Sequence, residues 1–336
     1  MSDDDRAAEL AAALAAFVIL SPSAFSFANE APINAESTPM APGWGDADRL
    51  VGAIQATLYD RCYARRSGVA SAAAGGADPD FARRLAQANA GRERWDKGWM
   101  IHQLGPNGQV FIRKGERERA AMPGAFIAES ALGMAPQIGA QVSIRAPREA
   151  LDVQPGYYFA FGEALDELAD QLSLVRFYFH CDAESVFPLV AELTVALNVF
   201  QVPFQLKAPT DARLYGRTDA AVLYAGARYY TIIVRIIAGL RDAVRLDPSV
   251  PLFTRHLWPG IGAAVEPGSG DSFGTHRCRL VAQGMVDAWR EGRQDVPGRL
   301  AAVAARFAAS GLDLARPYLG PGGVDLFQPP APARLP

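Results

Sequence analysis

Apolar positions along this chain recur at two periods, and the change from one to the other divides it. Near the start, AAELAAALAAFVIL is apolar with one interruption at Glu9, which predicts a packed helix over residues 4–20. A Pro/Asn/Ser-rich stretch over 28–45 predicts a loop. Helical spacing then returns in ADRLVGAIQATLYDRCYARR, residues 47–66, through Leu50, Ile54, Leu58 and Cys62. The Ala/Gly segment 67–80 predicts a flexible connection, and DPDFARRLAQANA a short helix capped by an aspartate. From residue 98 the pattern becomes that of strands: GWMIHQL, the turn GPNG and QVFIRKG predict a β-hairpin.

Two further strands are predicted at 140–146 and 156–162, followed by a helix at EALDELADQL. In VRFYFHC, Arg176, Tyr178 and His180 point one way, while Val175, Phe177, Phe179 and Cys181 point the other. One face is predicted to be core and the other a polar wall. AESVFPLVAELTVALNVF supplies a helix, and VPFQLKA a strand with Gln205 and Lys207 opposite Phe204, Leu206 and Ala208. If the two strands are parallel neighbours, His180 and Lys207 project from the same face.

AAVLYA, apolar throughout, predicts a central strand, and ARYYTIIVRIIAGLRDAVRL an amphipathic helix. PLFTRHLWPGIGAAVEPGSGDSF predicts a long irregular segment. THRCRLVAQGMVDAW is a helix whose start, at Gly274 and Thr275, leaves open backbone N–H groups. With His276 and Arg277 in its first turn, that start is a ready anion site. The last helix, GRLAAVAARFAAS, stops at Gly311.

These elements define an α+β chain, a helical N-terminal region followed by a mixed β-sheet domain with crossover helices. The expected divisions are 1–95, mainly helical; 96–139, hairpin and connecting segment; 140–319, the α+β catalytic domain; and 320–336, a disordered Pro/Gly-rich tail.

An apolar share of 50% with 21% charged residues is that of a soluble globular protein, expected in the cytoplasm. A formal charge of -3 gives no support to a general nucleic-acid binder, yet the stretch from Lys207 to Arg255 carries eight basic residues against four acidic ones. That local surplus points to an anionic ligand. Cys62, Cys181 and Cys278 have no paired spacing and read as reduced thiols. Asp3, Asp4 and Asp5 have the wrong sign for a secretory segment, and YTIIVRIIAGL, interrupted by Arg235, is not a membrane span.

Only Lys97, Lys114 and Lys207 are lysines, against thirty arginines. A lysine can be tuned to release its proton and arginine cannot, so Lys207 on a strand stands out as a usable base. GSGDSFG lacks the lysine and hydroxyl of a phosphate-binding NTPase loop, and no His-Glu-x-x-His, paired-cysteine or Gly-x-Ser-x-Gly motif occurs. No metal or cofactor is expected. His102 and His256 read as structural.

PFQLKAPTDARLYGRTDAAVLY and PLFTRHLWPGIGAAVEPGSGDSFGTHRCRLVA, above all SFGTHR, resemble the HopA-type effector family of bacterial proteins. The match covers about 95–290; before it only YDRCY is similar. Members of that family occur as type III secreted effectors and as tailoring proteins of class V lanthipeptide and thioviridamide-like pathways. The resemblance implies a phosphoserine/phosphothreonine lyase, which β-eliminates phosphate from a ribosomal precursor peptide to leave dehydroamino acids. Its partners would be the leader and phosphorylated core of that peptide and a kinase-like phosphotransferase, with no nucleic acid and no membrane.

In the similar phosphothreonine lyases of pathogens, a lysine base and a histidine acid sit on neighbouring strands, which implies Lys207 as base and His180 as acid. Those lyases place a lysine two residues before each catalytic residue. Tyr178 and Gln205 stand there instead, so phosphate binding falls to Arg176, Arg217 and Arg277, with His276 close by. Tyr224 either bonds a phosphate oxygen or packs in the sheet, and Asp219 orients an arginine. The competing expectation is a non-catalytic protein: a secreted effector, or a scaffold that recognises a phosphopeptide without cleaving it.

Overall fold

The computed structural model describes residues 3–37, 46–65, 78–129, 135–166, 168–268 and 270–327. Helix α1 (Asp3–Ala15) stops short of the apolar run's end, and the chain turns into strands β1 (Phe17–Ser21), β2 (Ala24–Phe27) and β3 (Ile33–Asn34), a small antiparallel sheet. The helix expected over 4–20 is corrected accordingly: the aromatic and β-branched residues of FVIL and AFSF favour a pleated surface, and Phe17, Ile19 and Phe25 are buried in it. Helix α2 (Asp46–Leu58) continues into one π-helical turn, Tyr59–Tyr63. Most of the flexible connection, 67–77, lies outside the described residues, as does 38–45 of the expected loop. Asp78 caps α3 (Pro79–Ala88), accepting hydrogen bonds from the Asp80 and Phe81 N–H groups.

The expected hairpin is β4 (Arg94–Leu104) paired with β5 (Val110–Lys114). With β6 (Arg117–Ala121), β7 (Phe126–Ala128) and β8 (Gln141–Ala146) it makes a five-stranded sheet in the order β6-β5-β4-β8-β7. This sheet closes on its own small core around Trp99, Ile101, Val110 and Ile112.

Seven more strands form the main sheet. They are β9 (Glu149–Ala150), β10 (Tyr157–Phe161), β11 (Leu174–Phe179), β12 (Gln205–Pro209), β13 (Ala221–Gly226), β14 (Arg255–Trp258) and β15 (Ile261–Val265). Their spatial order is β14-β15-β11-β13-β12-β10-β9, and every neighbouring pair is antiparallel. The segment 251–273, expected to be irregular, thus holds a hairpin: Gly260, at φ 74°, makes the turn, and the short run IGAAV buries between β14 and β11.

Between the strands lie helices α4 (Leu168–Leu172), α5 (Val186–Val199) and α6 (Tyr230–Leu240); α7 (Phe273–Arg290) and α8 (Val296–Ala309) complete the chain. The chain is therefore α+β, a helix-and-strand N-terminal region followed by antiparallel sheets interleaved with crossover helices. Helix α4 is far shorter than EALDELADQL suggested, and α6 ends at Leu240, before the RDAVRL end of its amphipathic run.

The main sheet is covered on both sides. Phe177 stacks on Tyr230 of α6 on one side, while Tyr178 packs against Phe273 at the start of α7 on the other. The polar wall expected along β11 is accordingly enclosed: Arg176 and Tyr178 are both buried. The tail expected to lack structure from 320 onward is held as far as Phe327, which is buried edge-on against Tyr230 and Tyr318; 328–336 lie outside the described residues. Among the described residues, no helix is long and apolar enough to cross a membrane.

Candidate functional site

Register places the functional side chains. Across the main sheet, Tyr178, Val222 and Lys207 stand opposite one another in one row, and Arg176, Tyr224 and Gln205 in the next. Residues opposite each other or two apart share a face, so the alternation seen in VRFYFHC and VPFQLKA does bring Arg176, Tyr178 and Lys207 to one side. They do so across β13, however. The two strands are not neighbours, because the central strand AVLYAG lies between them.

His180 is not among them. It follows the last residue of β11; its backbone N–H donates to Gly260 O, and its ring lies between Ser249 O, 3.1 Å from Nδ1, and Asp247, 3.7 Å from Nε2. It belongs to the loop before β14. The row of the sheet that faces Lys207 presents Tyr178 instead, so the expected acid–base pair of His180 and Lys207 is corrected by the register.

What surrounds Lys207 is a small cavity of about 60 Å³ lined by Tyr59, Tyr157, Arg176, Tyr178, Arg217 and Tyr224, with Ser272 and Gly274 from the start of α7. The arginines in it carry carboxylate partners. Arg176 forms a two-pronged pair with Glu266, its second hydrogen bond 2.6 Å long. Arg217 grips Asp219 through two hydrogen bonds of 2.7 Å and reaches the Tyr59 hydroxyl at 3.0 Å, and Tyr59 donates to Asp219 at 2.9 Å. Burial alone would push the Asp219 carboxyl up, but Arg217 holds it below its usual range. Asp219 thus orients an arginine.

Lys207 differs from both arginines. Its ammonium lies 3.9 Å from the centre of the Tyr157 ring and, among the described residues, has no hydrogen bond or ion pair. Burial pulls its pKa down to about 8, with Arg176 and Arg217 pressing the same way against the attraction of Asp219. Three cations against the carboxylates of Asp219 and Glu266 leave one positive charge uncompensated, on the group that faces the cavity. Helix α7 adds to it: Ser272 caps the helix, accepting from the Thr275 N–H, and the first backbone N–H groups have no partner within the helix.

The SFGTHR block therefore contributes Ser272 and Gly274, while its charged residues serve the fold. Arg277 is fully buried and turned away from the cavity, donating to Pro317 O and Leu319 O at 2.7 Å each. Its remaining N–H group meets His276 Nδ1 at 2.6 Å. Burial, then Arg277 and Arg279, push His276 down to about 4, so it is neutral at physiological pH. Both are corrected as phosphate ligands for these reasons. Gln205 lies in the row beyond, on the wall of a second cavity, and Tyr224 lines both.

The sequence reading missed Tyr59, Tyr63, Tyr157, Ser272 and Glu266. Tyr59 and Tyr63 sit at either end of the π-helical turn, their rings stacked with centroids 5.0 Å apart. Thr218 fastens that turn to the cavity wall: its hydroxyl donates to Tyr63 O and its N–H to Ala64 O. Gly274 lets α7 approach, since a Cβ there would come within 2.4 Å of the Tyr63 ring. The available signal was the run YDRCY, whose two tyrosines are four apart on a helix.

Among the described residues, no group of three or more His, Cys, Asp or Glu is placed to hold a metal ion. No curated protein matches the chain. Similar solved structures include two described as effector proteins. One, from Pseudomonas syringae pv. tomato strain DC3000, shares 13% identity over 85% of this chain and 93% of its own, with a TM-score of 0.44. The other, from Pseudomonas syringae pv. syringae strain 61, shares 14% over 79% and 88%, with a TM-score of 0.42.

The expectation of a β-eliminating lyase in peptide dehydration is corrected by the site itself: the histidine of the expected acid–base pair lies against the loop at 247–249, outside the cavity at Lys207. Residues 148–319, just over half of the chain and including every strand of the main sheet, match the HopA1 effector protein family, and to that family this chain belongs.

Proposed function

We propose that this chain is a non-catalytic, effector-type binding protein whose cavity at Lys207 captures a phosphorylated side chain of a protein partner. One observation carries the reading: a half-buried ammonium that makes no hydrogen bond or close ion pair among the described residues faces a cavity flanked by two guanidiniums and a helix N-terminus. Such a group is costly to keep desolvated, and an incoming anion offsets that cost. The volume, about 60 Å³, suits a single small group at the tip of a larger molecule. Arg176 and Arg217 are held in place by Glu266 and Asp219, so their remaining N–H groups are pre-oriented for oxygen acceptors.

The test is a calorimetric titration of matched phosphoserine and serine peptides against the purified protein. Binding that depends on the phosphate, falls about tenfold to a hundredfold in Lys207→Ala and persists in Lys207→Arg is the expected result. Equal affinity for the two peptides would overturn it.

A further inference from the structure

A second, larger cavity of about 320 Å³ adjoins the first. Leu174, Phe161, Phe204, Leu165 and Ile144 give it apolar walls, with Arg119, Arg145 and Asp166 among its polar lining. Ile144 and Arg145 come from β8 and Arg119 from β6, so the five-stranded sheet forms one side and the main sheet the other.

The two cavities follow one another along the same three strands. On β11 the basic cavity takes Tyr178 and Arg176 and the apolar one Leu174; on β13 the sequence is Val222, Tyr224, Gly226; on β12 it is Lys207, then Gln205. Tyr224 lines both and is the wall they share. Gly226 lets Asp170 of the cavity lining close against β13, because a Cβ there would meet Asp170 Oδ1 at 2.4 Å. With a strand rise of about 3.3 Å per residue, the two centres stand roughly two to four residues apart.

We infer that this apolar cavity is a second recognition subsite, which takes a large apolar side chain two to four positions from the phosphorylated residue of the same extended peptide. The inference rests on the proposed phosphate-binding reading and adds a sequence preference to it. A segment lying along the strands places its phosphate against Lys207 and, on the same side of its backbone, an aromatic or branched aliphatic group over Leu174 and Phe161. The net positive charge at one end and the apolar walls at the other match that one occupant and fix its direction. Alternate side chains of an extended chain point the same way, so spacings of two and four are preferred over three.

The experiment scans a single phenylalanine through positions one to five on either side of phosphoserine in an otherwise Gly/Ser peptide, read by fluorescence anisotropy with the unaltered protein. The expected result is tightening by about tenfold at spacing two or four, on one side only. In Ala164→Trp, which fills the apolar cavity, that peak is lost while phosphate dependence stays. Phosphate-dependent binding with a flat scan would overturn the second subsite and leave the first reading standing. Binding that follows phenylalanine but ignores phosphate would overturn both. Tighter binding of octyl phosphate than of any peptide in the scan would make a small amphiphile the occupant and overturn the peptide assignment.

Discussion

The cavity at Lys207 and the first turn of α7 behind it are built from the same residue types and serve different ends. Arg217, in the cavity, is paired with a carboxylate and keeps a face open; Arg277, behind it, is consumed by two backbone carbonyls. A side-chain partner leaves an arginine directed at a space, whereas carbonyls from 317 and 319 use it to pin the chain after α8 onto α7. Burial does not distinguish an arginine that faces a cavity from one that pins the chain. The identity of its acceptor does.

That contrast breaks most sharply by mutation. Arg217→Leu strands the buried Asp219 carboxylate and is expected to cost about 3–5 kcal/mol in urea denaturation, with much of the loss recovered when Asp219→Asn is added. Arg277→Leu is expected to cost about 2–4 kcal/mol, from two carbonyls left unpaired. No second side-chain change should restore it, because its acceptors belong to the backbone. Recovery of Arg277→Leu by a single further substitution would erase the distinction.

Lys207 sharpens the comparison through pH. Its pKa falls from the ordinary lysine value of 10.5 to about 8 in the fold, so the folded state carries the charge unwillingly below pH 8, and the difference disappears above about 10.5. Lys207→Met is accordingly expected to be more stable than the parent at pH 7, with the advantage shrinking as pH rises from about 8 towards 10.5, as followed by thermal melts. Phosphopeptide affinity in the parent should be highest between the second phosphate ionisation, about pH 6, and the loss of the ammonium proton near pH 8. A profile level from about pH 6 to about 10 would remove Lys207 from the site.

The smallest effect concerns the helix start. Ser272→Ala removes the cap on Thr275 N–H and is expected to cost about 1 kcal/mol of stability, with weaker phosphopeptide binding because the first turn of α7 lines the cavity.

Much of the fold was legible because local patterns write it. The strands around 174–179 and 205–209 follow from alternation, those around 141–146 and 157–161 from short runs with β-branched or aromatic residues, and α3, α5, α7 and α8 from helical spacing, with an aspartate cap at α3. Among the stretches that were not, two show why. FVILSPSAFSF continues an apolar helix in composition and turns into a hairpin, and IGAAV is too short and too weakly patterned to announce a strand until β11 and β14 flank it. In both, pairing with a distant or adjacent partner supplies hydrogen bonds that local propensity does not reveal.

For the site, the sequence by itself determined which residues share a face: Arg176 with Tyr178, and Gln205 with Lys207, by the period of two in an extended chain. It also marked Lys207 as the exceptional cation. The tertiary structure alone decided that β13 separates those strands, that His180 leaves the sheet for the loop at 247–249, and that Tyr59 and Tyr63 arrive from a helix some 150 residues earlier. Alternation is a property of one strand and survives in any fold. Strand order, and the acceptor an arginine finds, depend on contacts between segments far apart in the chain, which no local pattern encodes.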